Sequence, residues 1–137
     1  MDKSLNLLSL ARKAGAAELG EEPVGAASRL LHAHLIVVAG DASDHTWRRA
    51  KSYVAGTDQQ CIRVKYTKDE MGFAIGRQEL AIAAITDPAL ALAMVKALGQ
   101  PQTYADAIAV LENKADRVKK RQAEAKAHKR NVRMGKK

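Results

Sequence analysis

Three short apolar segments separated by helical patterns constrain the fold of this chain more than any other feature. Residues 34–39 (HLIVVA) and 80–85 (LAIAAI) are continuous apolar runs, typical of strands buried on both faces. Residues 61–66 alternate apolar with basic side chains, and a very short strand is predicted over 16–19. Helical patterns lie between these segments, at residues 5–14, 20–31, 44–54, 67–76 and 88–98. The alternation predicts an α/β fold, a three-layer α/β/α sandwich around a small mixed central sheet.

Capping residues mark where several of these helices begin. Ser4 is placed to cap the first helix, and either Asp41 or Ser43 can cap the third. Thr67 is followed three residues later by Glu70, which predicts a capping box at the start of the fourth helix.

A C-terminal extension follows Pro101, and apolar residues recur in it at spacings of four and three. This seam predicts a further helix, but it is too short to assign as a coiled coil. It docks on the body or pairs with a second copy, and we favour docking. Residues 1–100 are predicted to fold alone as one α/β/α domain, with 101–137 a basic, helical or disordered extension. The seam consists of Tyr104, Ile108, Leu111, Ala115 and Val118.

The charge of the chain is concentrated in that extension. Residues 111–137 contain 11 Lys or Arg and 3 Asp or Glu, whereas residues 1–110 contain 12 of each sign. A neutral body with a cationic tail indicates a partner of high negative charge density, and a nucleic acid is the leading candidate. The alternative is a solvated lysine-rich helix that only aids solubility.

Other features exclude whole classes of protein. The apolar stretch over residues 80–95 is interrupted by Thr86-Asp87-Pro88, so no membrane span is predicted, and we expect a soluble, cytoplasmic protein. Cys61 lies in a strand-like run and is interpreted as a buried packing thiol. His32 and His34 are not accompanied by a cluster of cysteines or carboxylates, so no metal site is predicted.

Catalytic and nucleotide-binding patterns are also missing from the sequence. Gly15 and Gly20 have the outer spacing of a phosphate loop, but Glu21 and Glu22 stand where lysine and serine or threonine are required. No nucleophile elbow or acid-oriented histidine is found. The sequence therefore predicts a protein that is not an enzyme and has no cofactor.

Several ordered motifs together resemble the ribosomal protein L-seven-Ae / L-thirty-e superfamily. The segments are 5–15 (LNLLSLARKAG), 19–22 (LGEE), 34–43 (HLIVVAGDAS), 70–76 (EMGFAIG) and 81–87 (AIAAITD). The match covers about residues 4–98 and is most similar to the small bacterial YlxQ-type members. The resemblance implies an α/β/α fold and RNA binding, often to kink-turns, where an internal loop bends a duplex sharply.

The resemblance also implies a binding site at the start of the second helix. Members of the superfamily carry a Gly-x-Asn-Glu-x-x-Lys-x-x-x-Arg motif, whose helix N-terminus faces phosphate. Its carboxylate accepts from the N–H edge of guanine, a role that falls to Glu22; the alternative for Glu22 is an ordinary first-turn helix acid. The implied positions are Gly20 (a displaced glycine), Glu21 (for Asn), Glu22, Gly25 (for Lys) and Arg29.

Two of these positions depart from the motif. Gly25 supplies no cation, and Glu21 adds a negative charge close to the RNA. We therefore expect weakened kink-turn binding by the body, compensated by the tail cations Lys119, Lys120 and Arg121.

Further site residues follow from the same resemblance. Trp47 lies at the helix start that flanks the extruded base, with core packing as the alternative. Lys68 matches a phosphate-contacting lysine, and Arg29, Lys68 and Arg77 are expected to line one edge of the body. The remaining implied RNA-binding residues are Asp41, Ala42 and Ser43 in the loop before Trp47, and Gln78 beside Arg77.

Together these observations predict a non-catalytic, monomeric RNA-binding protein, ribosomal or ribosome-associated. Its expected partner is structured RNA, either ribosomal RNA or another kink-turn RNA. No binding to a membrane is expected. The alternative is a protein–protein adaptor of the same fold with a degraded kink-turn site, whose tail docks an acidic partner. A small-ligand or nucleotide-binding module is the third class.

Overall fold

The computed structural model describes residues 2–133. Strands and helices alternate as the sequence predicts, which confirms the α/β fold class. The elements in chain order are α1 Lys3–Lys13, β1 Ala17–Leu19, α2 Glu21–Arg29, β2 Leu35–Val38, α3 Asp44–Val54, β3 Gln60–Arg63, α4 Lys68–Ala74, β4 Ile82–Ile85, α5 Pro88–Ala97 and α6 Ala105–Arg133. The strands are shorter than predicted: β2 and β4 lie inside the predicted runs, and β3 begins one residue earlier than predicted and ends at Arg63.

The sheet is mixed, with the strand order β1-β4-β2-β3. β2 and β3 are parallel, and Val37 is paired with Ile62. β4 runs antiparallel to both β1 and β2, and Val37 is also paired with Ala83. β1, β2 and β3 therefore end at the same edge of the sheet at which β4 begins. We call this the carboxyl edge, and the opposite edge, where β2 and β3 begin, the amino edge.

The helices cover both faces of the sheet. α2 and α3 pack on each other and on one face, while α1, α4 and α5 form the layer on the other face. All residues of β2 and β4 are buried, as the apolar runs predict. Ala83 and Ala84 point to opposite faces of β4, and their small side chains let α2 and α5 approach the sheet closely.

The cap of the first helix differs from the prediction. Asp2, not Ser4, is the N-cap, and its carboxylate accepts from the backbone N–H of Ser4 at 2.9 Å. Ser4 is fully buried within the first turn, and its hydroxyl donates to the carbonyl of Met94 in α5 at 2.9 Å. A buried hydroxyl needs such a partner, so Ser4 joins two helices. The predicted caps Ser43 and Thr67–Glu70 are confirmed.

The first half of α6 docks on α5. Leu111 is fully buried in the core, together with Ala107. The Tyr104 hydroxyl donates to the carbonyl of Arg63 at 3.1 Å. The apolar seam of α6 therefore docks on the body. Independent folding of residues 1–100 stays a prediction. No helix in the described residues is long and apolar enough to cross a membrane.

Candidate nucleic-acid interface

Four connecting segments meet at the carboxyl edge, and backbone hydrogen bonds hold them together. Gly20 N–H donates to the Ile82 carbonyl at 3.0 Å, which ties the entrance of α2 to the start of β4. Leu80 N–H donates to the Lys68 carbonyl at 3.0 Å, which ties the loop before β4 to the start of α4. The loop after β2 joins through Asp41, whose carboxylate accepts from Lys68 N–H at 2.8 Å. Residues distant in sequence thus form one surface.

The entrance of α2 lies on this surface without a side-chain cap. Gly20 is the N-cap at φ 96°, a left-handed conformation that favours glycine and offers no capping oxygen. The first-turn N–H groups of Glu21 and Glu22 therefore stay available to an external acceptor, whereas Pro23 has no N–H. Glu22 is exposed, so its carboxylate also faces solvent.

A cation from α3 lies beside this entrance. The Nε of Arg49 is 3.8 Å from a carboxylate oxygen of Glu21, and both side chains remain partly exposed. The Arg49 guanidinium also donates to the Tyr53 hydroxyl at 3.1 Å through Nη2. Hydrogen bonding to Tyr53, and then the nearby Glu21 carboxylate, raise the pKa of Arg49. The charge that Glu21 adds is therefore accompanied by an opposite charge.

Tyr53 also explains the glycine at position 25. Gly25 is buried, and a Cβ built on it would lie 3.2 Å from both Cζ and the hydroxyl oxygen of Tyr53. Tyr53 is fixed in turn because its carbonyl accepts from the buried Ser28 hydroxyl at 2.9 Å. The place where the resemblance implies a lysine is thus filled by a tyrosine from α3, and Arg49 carries the positive charge.

Each predicted site residue in the loop after β2 also has a structural role. Ala42 is buried, and its carbonyl accepts from the Arg63 guanidinium at 2.8 Å. The Ser43 hydroxyl caps α3 by accepting from Thr46 N–H at 3.1 Å. Their positions at the carboxyl edge agree with the expected surface, and RNA contact by these residues stays a prediction.

The loop before β4 packs against α4. A Cβ on Gly72 would lie 2.6 Å from Cα of Glu79, so only glycine permits this approach. Arg77 and Gln78 are exposed in the same loop, while Lys68 is half-buried at the start of α4. Lys68 and Arg77 therefore lie on the carboxyl edge, as expected.

Trp47 faces away from the entrance of α2. Residues 47 and 49 are separated by about 200° around the helix, so they lie on opposite faces of α3. The Trp47 ring lies between Lys51 Nζ at 5.7 Å and Arg63 Cζ at 5.6 Å, measured to the ring centroid. The ring is partly buried against the core, which agrees with the packing interpretation.

The remaining predicted cations do not join the carboxyl edge. Arg29 is at the last turn of α2, about 12 Å along the helix axis from Glu21. Arg121 lines a cleft at the amino edge, and Lys119 and Lys120 are exposed on the preceding residues of α6. Arg29, Lys68 and Arg77 therefore do not form the expected line: Lys68 and Arg77 lie at the carboxyl edge, and Arg29 lies at the far end of α2.

Arg49 is absent from the sequence prediction. No local pattern distinguishes it from Arg48, because both are exposed arginines on the same helix. The spacing of four between Arg49 and Tyr53 is the only signal in the sequence, and it indicates a pair on one helix face. Within residues 2–133, no three His, Cys, Asp or Glu side chains are grouped so as to hold a metal ion.

Comparison with known proteins establishes the fold. No family model and no curated protein matches the sequence. A protein of unknown function from Bacillus halodurans is 24% identical with a TM-score of 0.67, and the match covers 72% of this chain and 99% of that one. A 15.5 kD RNA-binding protein from Giardia lamblia is 19% identical with a TM-score of 0.52, covering 70% and 82%. This chain shares their fold.

Proposed function

We propose that this chain is a non-catalytic, cytoplasmic RNA-binding protein that recognises structured RNA of kink-turn type through its carboxyl edge. The observation that carries the proposal is that Arg49 from α3, Lys68 from α4 and Arg77 from the loop before β4 lie at the same edge of the sheet as the uncapped entrance of α2. The Giardia lamblia neighbour, an RNA-binding protein of the same fold, supports it. A ribosomal or ribosome-associated role follows from the superfamily resemblance.

Each part of the surface has a chemical role in this proposal. The free N–H groups of the α2 entrance bind a phosphate oxygen. The exposed Glu22 carboxylate accepts from the N–H edge of a guanine, as a sheared G·A pair presents it. Arg49 offsets the negative charge of Glu21 and supplies the phosphate-binding cation that Gly25 lacks. Both departures from the superfamily motif are thereby compensated within the body.

The affinity ratio between a kink-turn RNA and a plain duplex of equal length tests the proposal. Both affinities are measured at one salt concentration, because phosphate contacts make RNA binding strongly salt-dependent. We expect tighter binding to the kink-turn. A ratio near one would refute kink-turn recognition while leaving non-specific RNA binding by the tail.

A second candidate function, a protein–protein adaptor, is favoured by one observation. Phe73 on α4 is 77% exposed, more than any other large apolar side chain in the described residues. It lines a cleft of about 770 Å³ together with Tyr66 and the carboxylates of Asp69 and Glu70. Burial raises the pKa of Tyr66 to about 12. An adaptor would bind a protein through Phe73 and would not discriminate between RNA shapes.

A further inference from the structure

α6 crosses the body from the carboxyl edge to the amino edge. At its start, the Tyr104 hydroxyl donates to the carbonyl of Arg63, the last residue of β3. Ten residues later, Lys114 Nζ lies 3.1 Å from Asp58 Oδ1 and 3.1 Å from His34 Nδ1. Asp58 lies just before β3, and His34 lies just before β2. Ten helical residues span about 15 Å, close to the roughly 13 Å length of a four-residue strand.

Buried contacts fix the point at which α6 leaves the body. Lys114 is only 7% exposed, and its ammonium group is paired with Asp58. Leu111, almost one turn earlier, is fully buried against α5. Displacing α6 would break the Lys114–Asp58 ion pair and expose Leu111, so both contacts hold the helix in place. The residues after Lys114 are therefore directed away from the carboxyl edge.

These later residues form a basic arm, which we define as residues 117–129. The arm contains six Lys or Arg and one acidic residue, Glu124. Each of the six cations is exposed, and the helix over these 13 residues is about 20 Å long. Apart from the half-buried Val118, its apolar residues are alanines, so the arm has no apolar stripe with which to pack on a protein.

Charge and position together indicate what the arm binds. Cations spread around a helix match the phosphate rows of double-stranded RNA, which is recognised mainly by shape and backbone charge. An RNA bound at the carboxyl edge would have to fold back along the whole body to reach this arm.

We propose that the protein is an RNA connector, which holds a kink-turn element at the carboxyl edge and a separate double-stranded RNA segment along the basic arm. This inference rests on the proposed function, because the first RNA is the one assigned to the carboxyl edge. It goes further by giving the arm a second RNA segment rather than added affinity for the first.

A capture experiment with two RNAs tests the connector. The full chain is bound to an immobilised kink-turn RNA, and a fluorescent plain duplex of about 16 base pairs, the length one double-stranded-RNA module spans, is then added. We expect the duplex to be retained only when the protein is present. The retained complex should contain one protein and two RNAs, as measured by its mass after elution.

The variant Lys119→Gln/Lys120→Gln/Arg121→Gln removes three arm charges and keeps good helix-forming side chains. We expect the protein to stay on the kink-turn RNA but to lose the duplex, with the log–log salt slope of duplex binding falling by about 2 to 3 units. The matched control is Lys3→Gln/Arg12→Gln/Lys13→Gln, which neutralises three exposed cations on α1 and should leave capture unchanged.

Four outcomes would overturn the connector. One-for-one competition between the two RNAs would show a single site, and a retained complex with two protein copies would assign bridging to self-association. Equal loss of capture in both triple variants would show a general charge effect. If the protein does not prefer the kink-turn RNA over duplex in the first step, the proposed function fails, and the connector fails with it. This lack of preference is measured before the second RNA is added.

Discussion

Tyr53 covers Gly25, with the tyrosine Cζ and hydroxyl oxygen each 3.2 Å from the point where a Cβ on residue 25 would lie. This contact joins α3 to α2 immediately behind the proposed RNA surface. A side chain at position 25 would require the Tyr53 ring to shift by a few tenths of an ångström. It also changes what a substitution there is expected to do.

Gly25→Lys is expected to destabilise the protein, although the sequence motif suggests that a lysine at this position would tighten RNA binding. Overpacking against Tyr53 costs about 1–3 kcal/mol, whereas the gain in helix propensity is only about 1 kcal/mol. Urea unfolding measures the difference. Gly25→Lys combined with Tyr53→Ala should lose less stability than the two single changes together, because the clash is absent. Strict additivity would mean that Tyr53 does not restrict residue 25.

Arg49→Ala is expected to weaken kink-turn binding and lower its log–log salt slope by about one unit, because one phosphate contact is lost. Arg48→Ala is the matched control, since Arg48 is an exposed arginine on the same helix for which no contact to the α2 entrance is found in the described structure. Binding titrations at several salt concentrations measure both slopes. Equal effects of the two substitutions would show that Arg49 contributes only net charge.

Glu22→Ala is expected to reduce the preference for a kink-turn over a plain duplex by about 1–3 kcal/mol, by analogy with base-edge contacts in duplex recognition. Non-specific binding should stay equal or strengthen slightly, because a charge that repels phosphate is removed. Asp116→Ala removes an exposed carboxylate on α6 and should leave the preference unchanged. An unchanged kink-turn preference in Glu22→Ala would leave Glu22 as a first-turn helix acid only.

A chain ending at residue 99 is expected to unfold cooperatively, but at a lower urea concentration than a chain ending at residue 116. The longer chain keeps Leu111, whose full burial contributes about 1.5–3 kcal/mol. Removal of residues 117–137 alone should leave the midpoint nearly unchanged, because residues 117–129 are exposed apart from the half-buried Val118. Loss of a cooperative transition in the shortest chain would place residues 100–116 inside the folding unit.

Stability is expected to fall as the pH drops below about 6.5, the ordinary pKa of histidine. Burial, and then the ammonium group of Lys114, lower the pKa of His34, while Asp58 and Asp87 oppose the shift and His32 adds to it. The unfolded chain therefore binds a proton at His34 before the folded chain does, which favours unfolding. The stability is present above 6.5 and is lost as the pH falls toward the lowered pKa.

Urea midpoints at pH 7.5 and 5.5 measure this effect. His34→Gln should reduce the difference between the two midpoints, whereas His45→Gln, at an exposed position of α3, should not. A separate loss is expected below pH 3.8, because hydrogen bonding to Lys114 lowers the pKa of Asp58. An equal pH effect in both histidine variants would exclude His34 as its source.

The sequence by itself determined the order and type of the elements in the described chain. The apolar runs that contain β2 and β4, the cap at Ser43 and the capping box at Thr67 and Glu70 are local patterns, and local patterns depend on neighbours a few residues away. The seam through Leu111 likewise predicted a helix, but its spacing left docking on the body and pairing with a second copy both open. The implied roles of Glu22, Lys68 and Arg77 in RNA binding stay predictions.

Only the tertiary structure decided which side chains meet. Ser4 is joined to Met94, and Tyr53 to Gly25, by contacts between helices that are distant in sequence. Arg49 reaches the α2 entrance because α2 and α3 pack side by side on one face of the sheet. The basic arm leaves from the other edge because Lys114 is held there by Asp58. Such contacts follow from the strand order and the packing of whole layers, which no local periodicity encodes.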